Sequence, residues 1–272
     1  MTYSTRKAQQ FTARSSDKKS MFPRATRIFV GVEVVFGVAY FLIPPSGLRA
    51  VVYSVVSLGM VVAVVVGVRR WKPAQPMAWY LIAAGQLLFS IGDAINYYRE
   101  WVLETEIPFR SAADGFCLVF YPLLAAGLLL LVRGRAPGRD AASLIDATII
   151  ATGIGLLSWV FLIGPYVRLP DLSLDQRLVS IAYPLGDLLL LAVAVRLWRA
   201  GGSGVVASRL LAFGLFALMA SDTVYGLSVL NSNWQIGGPV DAVWILYYLA
   251  LGWPPCTRRW CRCPSRPRST PA

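Results

Sequence analysis

Eight apolar blocks, each close to the length that crosses a lipid bilayer, constrain this chain more than any other feature. A transmembrane helix needs about 20 apolar residues, whereas a buried strand would run for only about 4–8. Only 15% of the residues are charged, against about a quarter in soluble domains. The chain is therefore predicted to be an all-α membrane protein with about eight transmembrane helices. The blocks cover residues 27–44, 48–68, 77–97, 114–132, 143–165, 177–197, 206–229 and 239–254.

The basic residues indicate how these helices are oriented. The N-terminal tail, every second loop and the C-terminal tail carry 21 of the 26 Lys and Arg residues, and the other loops carry five. Cytoplasmic loops are enriched in Lys and Arg. We therefore predict a multi-pass protein of the inner (plasma) membrane with both termini cytoplasmic and the lipid bilayer as its main partner. Topology accounts for most of the net charge of +12, so nucleic acid is not an expected partner.

An internal repeat relates the two halves of the chain. Gly85 to Asp93 matches Gly214 to Asp222 in spacing, and Asp114 to Tyr121 matches Asp241 to Tyr248. Three weaker matches follow the same order, with most offsets between 127 and 129 residues. Because each unit holds four spans, the units share one orientation. We predict two parallel four-helix repeats, residues 27–142 and 143–254, related by an axis along the membrane normal.

Acidic residues within the spans are the candidate functional residues, because each costs roughly 2.5–3.5 kcal/mol to insert. Several tyrosines occur in the same segments, toward the predicted outer face. Carboxylates combined with tyrosine faces suit a cation, an amine or a polar lipid headgroup. The candidate ligand-binding set is Asp93, Asp187, Asp222, Tyr97, Tyr183 and Tyr225.

Structural roles compete with ligand binding at each of these acids. Asp114 and Asp241 stand at the starts of spans four and eight, where an acid caps a helix or forms a pocket rim. Asp93, Asp187 and Asp222 would act as structural links if they were hydrogen-bonded to tyrosines or arginines. The same three would serve a transport path if they lined one. Glu33 in span one has these same alternatives.

Recognisable catalytic machinery is missing from the sequence. There is no His, which removes the commonest general base and the commonest metal ligand. No phosphate-binding loop or paired nucleophile and base occurs. Cys256, Cys261 and Cys263 lack a fourth ligand of a standard type. We therefore predict no enzyme activity, no catalytic residues, no metal and no cofactor.

The two ends of the chain differ from the apolar blocks. Residues 1–26 are polar and basic and are predicted to form a disordered cytosolic tail. Residues 255–272 form a mixture of Arg, Pro, Ser and Cys and are also predicted to be disordered. A GC-rich gene read out of frame gives such a composition. Our hypothesis is a frameshifted or truncated terminus, which resequencing of the gene would test.

Several segments resemble a known group of membrane proteins. The resemblance lies in four segments, which are Ala113-Asp114 through Arg133, Leu144-Ile-Asp-Ala147, Gly155 through Ile163 and Ala182-Tyr-Pro-Leu-Gly-Asp through Leu191. They are similar to the membrane sensory region of actinobacterial signalling proteins, which GGDEF and EAL domains commonly follow in the cytoplasm. Those domains make and degrade cyclic di-GMP, and their motifs are absent here. The resemblance covers roughly residues 27–252 and lends no active-site residues.

The resemblance implies a multi-pass sensory input module whose cytoplasmic output domain is missing from this chain. The alternative is a small transporter or channel with an acid-lined proton or cation path. A third interpretation is a structural membrane protein whose acids only pack helices. The sequence leaves open whether the protein forms a homodimer, and it does not identify the ligand.

Overall fold

The computed structural model describes residues 24–105, 111–133, 140–170, 172–199, 205–231 and 238–253. Within these ranges the regular structure is helical and no strand occurs. The all-α prediction is therefore confirmed for this part of the chain. The predicted tails 1–26 and 255–272 lie outside the described residues, except that the first helix begins at Arg24.

Each predicted span coincides with a helical segment to within a few residues. A π-helical turn, Trp159–Ile163, joins the helices Asp140–Ser158 and Gly164–Arg168 into one continuous rod. The helices are α1 (Arg24–Leu42), α2 (Gly47–Trp71), α3 (Pro76–Trp101), α4 (Ala112–Arg133), α5 (Asp140–Ser158), α6 (Gly164–Arg168), α7 (Leu174–Arg199), α8 (Val205–Leu230) and α9 (Val240–Gly252).

Among the described residues, six helical segments are long and apolar enough to cross a membrane. They are α2, α3, α4, α7, residues Leu144–Arg168 of the α5–α6 rod and residues Ser208–Leu230 of α8. The helix α9 is apolar but has only 13 described residues, fewer than the roughly 20 that a bilayer requires. The helix α1 is not among these six segments. These six candidate spans indicate a multi-pass helical membrane protein.

Most consecutive helices pack side by side, α5 packs on α7, and two further contacts close the bundle. The closest pairs are α3 with α4 and α8 with α9, and each of α2 and α7 packs on the helix that follows it. Across the middle of the chain, α4 contacts α7 and α9 contacts α2. Fully buried Val56, Met60, Trp79, Leu124 and Tyr247 fill the shared core.

Apolar side chains also cover much of the outer surface of the bundle. Val35 of α1 is 66% exposed and Ile149 of α5 is 65% exposed. Leu156 and Val160 continue this exposed apolar surface along the α5–α6 rod. A soluble protein rarely exposes such a large contiguous apolar surface, whereas lipid tails cover it without cost. The outer surface therefore agrees with a membrane environment.

Prolines and a glycine shape the helices that line a cavity at one end of the bundle. Pro165 follows the π-helical turn, which accommodates a residue that lacks an amide hydrogen. Pro122 and Pro184 lie inside α4 and α7 and directly follow tyrosines that line the cavity. A Cβ atom at Gly186 would lie 2.5 Å from the Tyr121 ring. Only glycine therefore lets this ring seat against α7.

Candidate functional site

A cavity of about 430 Å³ opens among the helix ends at one side of the bundle. The C-terminal parts of α3, the α5–α6 rod and α8 line it, together with the N-terminal parts of α2, α4, α7 and α9. Because successive helices run in opposite directions, these parts meet at the same end. The volume lies within the range typical of small-molecule sites. All eight residues proposed from the sequence line this one cavity: Asp93, Asp187, Asp222, Tyr97, Tyr183, Tyr225, Asp114 and Asp241.

The cavity is strongly acidic. No Lys or Arg occurs among the described residues that line it. A concave site lined by acids with low-dielectric walls concentrates cations. The acidic residues along its wall are Asp93, Glu100, Asp114, Asp187, Asp222 and Asp241.

Asp222 is bound on both sides by donors from the protein itself. Its Oδ1 accepts a hydrogen bond of 2.9 Å from the indole Nε1 of Trp244 on α9. Its Oδ2 accepts one of 3.1 Å from the hydroxyl of Tyr121 on α4. Asp222 therefore links α8 to two helices, one in each half of the chain.

Asp114 takes part in the capping of α4. Its Oδ2 accepts a hydrogen bond of 2.8 Å from the Ser111 backbone amide, while the Ser111 hydroxyl accepts one of 3.1 Å from the Ala113 amide. This reciprocal pair is a capping box, in which Ser111 is the cap residue and Asp114 is the third helical residue. The other carboxylate oxygen accepts a hydrogen bond of 2.9 Å from Tyr183 on α7. Asp114 thus has a capping role and also lines the cavity.

Asp241 reaches across the bundle to α1. The Tyr40 hydroxyl donates a short hydrogen bond to its Oδ2, and Arg49 lies over the Tyr40 ring at 4.4 Å. Pro239 stands at the cap position of α9, and no side chain of the described residues makes a cap hydrogen bond there. Although the sequence suggested matched roles for Asp114 and Asp241, their observed hydrogen bonds differ.

Four buried oxygen atoms on the cavity wall have no hydrogen-bond partner among the described residues. Asp187 is only 5% exposed, so its open oxygen lies well inside the protein. Such atoms are uncommon in proteins, because an unsatisfied buried acceptor costs about 1–3 kcal/mol and more when it is charged. The open atoms are Asp93 Oδ2, Asn96 Oδ1, Glu100 Oε2 and Asp187 Oδ1.

Aromatic rings form much of the remaining wall. Tyr97 packs edge-on against Tyr53 at 5.8 Å between ring centroids. Tyr183 contacts Tyr121 at 6.2 Å between ring centroids. The Tyr121 hydroxyl is the one that donates a hydrogen bond to Asp222. Tyr225 packs against Trp244 at 6.0 Å between ring centroids. The three tyrosines proposed from the sequence thus stand beside carboxylates, in an arrangement that suits an ammonium group.

A buried column of polar side chains continues below the cavity. The hydroxyls of Tyr53 and Tyr248 are 3.1 Å apart. Deeper in the bundle, Ser57 shares a hydrogen bond of 2.5 Å with Ser90 and accepts one of 3.0 Å from the Gln86 amide. The Tyr247 hydroxyl donates to Gln86 Oε1 at 2.8 Å. The column contains side chains of α2, α3 and α9.

Glu33 lies away from this cavity, against α2. It is 4% exposed, and its Oε2 has no hydrogen-bond partner among the described residues. A Cβ atom at Gly59 would lie 1.9 Å from Glu33 Oε1, so glycine is required where the carboxyl group meets the helix. Span one therefore carries a buried acid that is separate from the main site.

Asn96, Glu100 and Trp244 are among the lining residues that were absent from the sequence-based set. Asn96 and Glu100 lie three and seven residues after Asp93, a spacing that places all three on one helix face. This spacing could have identified both residues. Trp244 gave no such signal, because its role depends on the packing of α9 against α8.

The arrangement of metal-ligating side chains and the comparisons with known proteins both bear on the identity of the site. Among the described residues, no group of three or more His, Cys, Asp or Glu side chains is arranged to hold a metal ion. No protein-family model, curated protein or solved structure matches the chain.

Proposed function

We propose that the protein is a non-enzymatic, multi-pass sensory module in which an organic cation enters the acidic cavity and changes the packing of α9. The observation that carries this proposal is that α9 both lines the cavity and is hydrogen-bonded to the helices around it. The resemblance to membrane sensory regions supports the same function. An output domain that follows the last span in the cytoplasm would receive the change.

The contacts of α9 explain how a ligand bound in the cavity would change the position of this helix. Asp241 and Trp244 line the cavity and bond to Tyr40 on α1 and Asp222 on α8. Tyr247 and Tyr248 bond to Gln86 on α3 and Tyr53 on α2. A ligand that bound one arrangement of these bonds better than another would shift the population of α9 positions.

The proposed topology has eight spans in two parallel repeats, with both termini in the cytoplasm of the cell that carries this inner-membrane protein. Corresponding contacts support the repeat. The contact of α4 with α7 corresponds to that of α9 with α2, because each joins the fourth helix of one half to the second helix of the other. Gly85 faces Phe120 on α4, and Gly214 faces Leu251 on α9. In this topology the cavity faces the outside.

Hydrogen exchange of the α9 amides tests the sensory proposal in the full chain. The purified protein is exposed in turn to butylamine, putrescine, spermidine, choline and tetraethylammonium. We expect at least one of them to change α9 exchange several-fold in the wild type and not in the double variant Asp93→Asn/Asp187→Asn. If no cation changes α9 exchange in the wild type, the sensory proposal fails.

A proton or cation path is the second candidate function. The polar column of Tyr53, Ser57 and Gln86 below the cavity favours it, together with buried Glu33 at the level of Gly59. Transport predicts proton or cation flux in proteoliposomes that falls when Asp93 or Asp187 becomes Asn. A sensor predicts no flux above that of protein-free liposomes.

A further inference from the structure

We propose that the ligand of the cavity is a linear aliphatic polyamine, held by Asp93 and Asp187 at one ammonium group and by Glu100 at another. This inference rests on the proposed function, that the cavity takes an organic cation. It adds the chemical class of the ligand and the residues that select it.

The deep binding position is formed by two carboxyl groups that line the cavity, one from α3 and one from α7. Asp187 on α7 is 5% exposed and has an open Oδ1, and Asp93 on α3 has an open, buried Oδ2. A buried carboxyl oxygen without a hydrogen-bond donor is costly, and a cation with hydrogen-bond donors offsets this cost. Because no Lys or Arg is among the described lining residues, the cation would come from a ligand.

The second binding position lies further along α3. Asn96 and Glu100 follow Asp93 at three and seven residues, and both have open buried oxygens. Seven residues of helix rise by about 10 Å, so Glu100 and Asp93 are too far apart for one small cation to contact both. An extended chain with an ammonium group near each end can contact both.

The wall between these two positions suits a methylene chain. Tyr97 lies on α3 between Asp93 and Glu100, and Tyr183 and Val179 line the cavity from α7. Aromatic faces bind both ammonium groups and the apolar methylenes between them. Since the described acids form no metal-binding group, a dispersed charge fits the site better than a metal ion.

Equilibrium binding of radiolabelled spermidine to the purified full chain tests the polyamine assignment. Butylamine, which carries a single ammonium group, is the matched ligand, and succinate is the anionic control. We expect spermidine to bind at least about tenfold more tightly than butylamine and succinate not to compete.

Single substitutions separate the two binding positions. Glu100→Gln should weaken spermidine binding about tenfold and leave butylamine binding unchanged. Asp187→Asn should weaken both ligands, because each uses the deep position. Glu104→Gln is the matched control, because Glu104 is exposed and does not line the cavity. It should change neither affinity.

Two results would overturn the polyamine assignment while the sensory proposal stands. One is equal affinity for butylamine and spermidine, and the other is an unchanged spermidine affinity in Glu100→Gln. The wild-type comparison of the two ligands needs no variant, so a folding defect cannot obscure it. If no cation of the panel binds at all, the polyamine assignment and the proposed function both fail.

Discussion

The two halves of the chain place an aspartate at matching positions and treat it differently. Asp222 in the second half accepts hydrogen bonds from Trp244 and Tyr121. Asp93 in the first half keeps a buried oxygen without a partner among the described residues. At the position that corresponds to Trp244, 127 residues earlier, stands Cys117.

Two local differences account for this contrast. Cys117 packs tightly against Gly92 and brings no indole donor to Asp93. The hydroxyl of Tyr248, the counterpart of Tyr121, forms a hydrogen bond with the hydroxyl of Tyr53. Matching positions in the two halves of the sequence thus carry one carboxyl group with internal partners and one with an open oxygen. A ligand would add the most stabilisation at the carboxyl group whose oxygen has no hydrogen-bond partner among the described residues.

The largest expected effect is on stability, and it should separate the two aspartates. Asp222→Ala should lower the free energy of unfolding by about 2–3 kcal/mol, because two donors lose a charged acceptor. Asp93→Ala should change it by less than about 1 kcal/mol, since no hydrogen bond to its open oxygen is lost. Unfolding in mixed detergent micelles, followed by circular dichroism, measures both values. Equal losses would contradict the contrast.

Disturbing the packing of Tyr121 against Gly186 should have the next largest effect on stability. Gly186→Ala should destabilise the protein by about 1–3 kcal/mol, because the new methyl group meets the Tyr121 ring and displaces an Asp222 donor. Gly153→Ala is the control, since no atom lies within 4 Å of a Cβ atom there. It should be neutral or stabilising by up to about 1 kcal/mol. Similar destabilisation by both substitutions, in the same unfolding experiment, would argue against this tight contact.

Removing the indole donor should make Asp222 resemble Asp93. Trp244→Phe keeps an aromatic ring beside Tyr225 and removes the hydrogen bond to Asp222 Oδ1. We expect a loss of about 1 kcal/mol in unfolding free energy, the usual worth of one such bond. Trp159→Phe, on an exposed apolar surface, should change it by less than about 0.5 kcal/mol. A loss no greater than that of this control would mean that the indole bond contributes little.

Loss of the capping box at the start of α4 should give the smallest effect. Ser111→Ala removes the hydroxyl that caps α4 and should cost about 0.5–1 kcal/mol in thermal or denaturant unfolding. Thr105→Ala is a suitable control, because its exposed hydroxyl makes only a weak bond of 3.4 Å. An unchanged stability in Ser111→Ala would show that the capping box of Asp114 does not stabilise the helix.

Much of the fold follows from local patterns, and much of the site does not. Apolar blocks of bilayer length located the helices, because segment length and hydropathy decide membrane insertion. The alternating basic loops and the repeat brought Asp93 and Asp222 to the same predicted level. The partners of these acids depend on tertiary packing. Neither the Trp244 bond nor the Tyr40 bond to Asp241 can be read from spacing.

The reactivity of Cys117 tests the central claim, that an amine occupies the Asp93 side of the cavity. Cys117 lines the cavity beside Gly92, and replacing Cys256, Cys261 and Cys263 with Ser leaves it as the single thiol of the chain. We predict that saturating spermidine slows its modification by N-ethylmaleimide about tenfold and that Asp93→Asn abolishes this protection. Equal modification rates with and without spermidine would contradict the account.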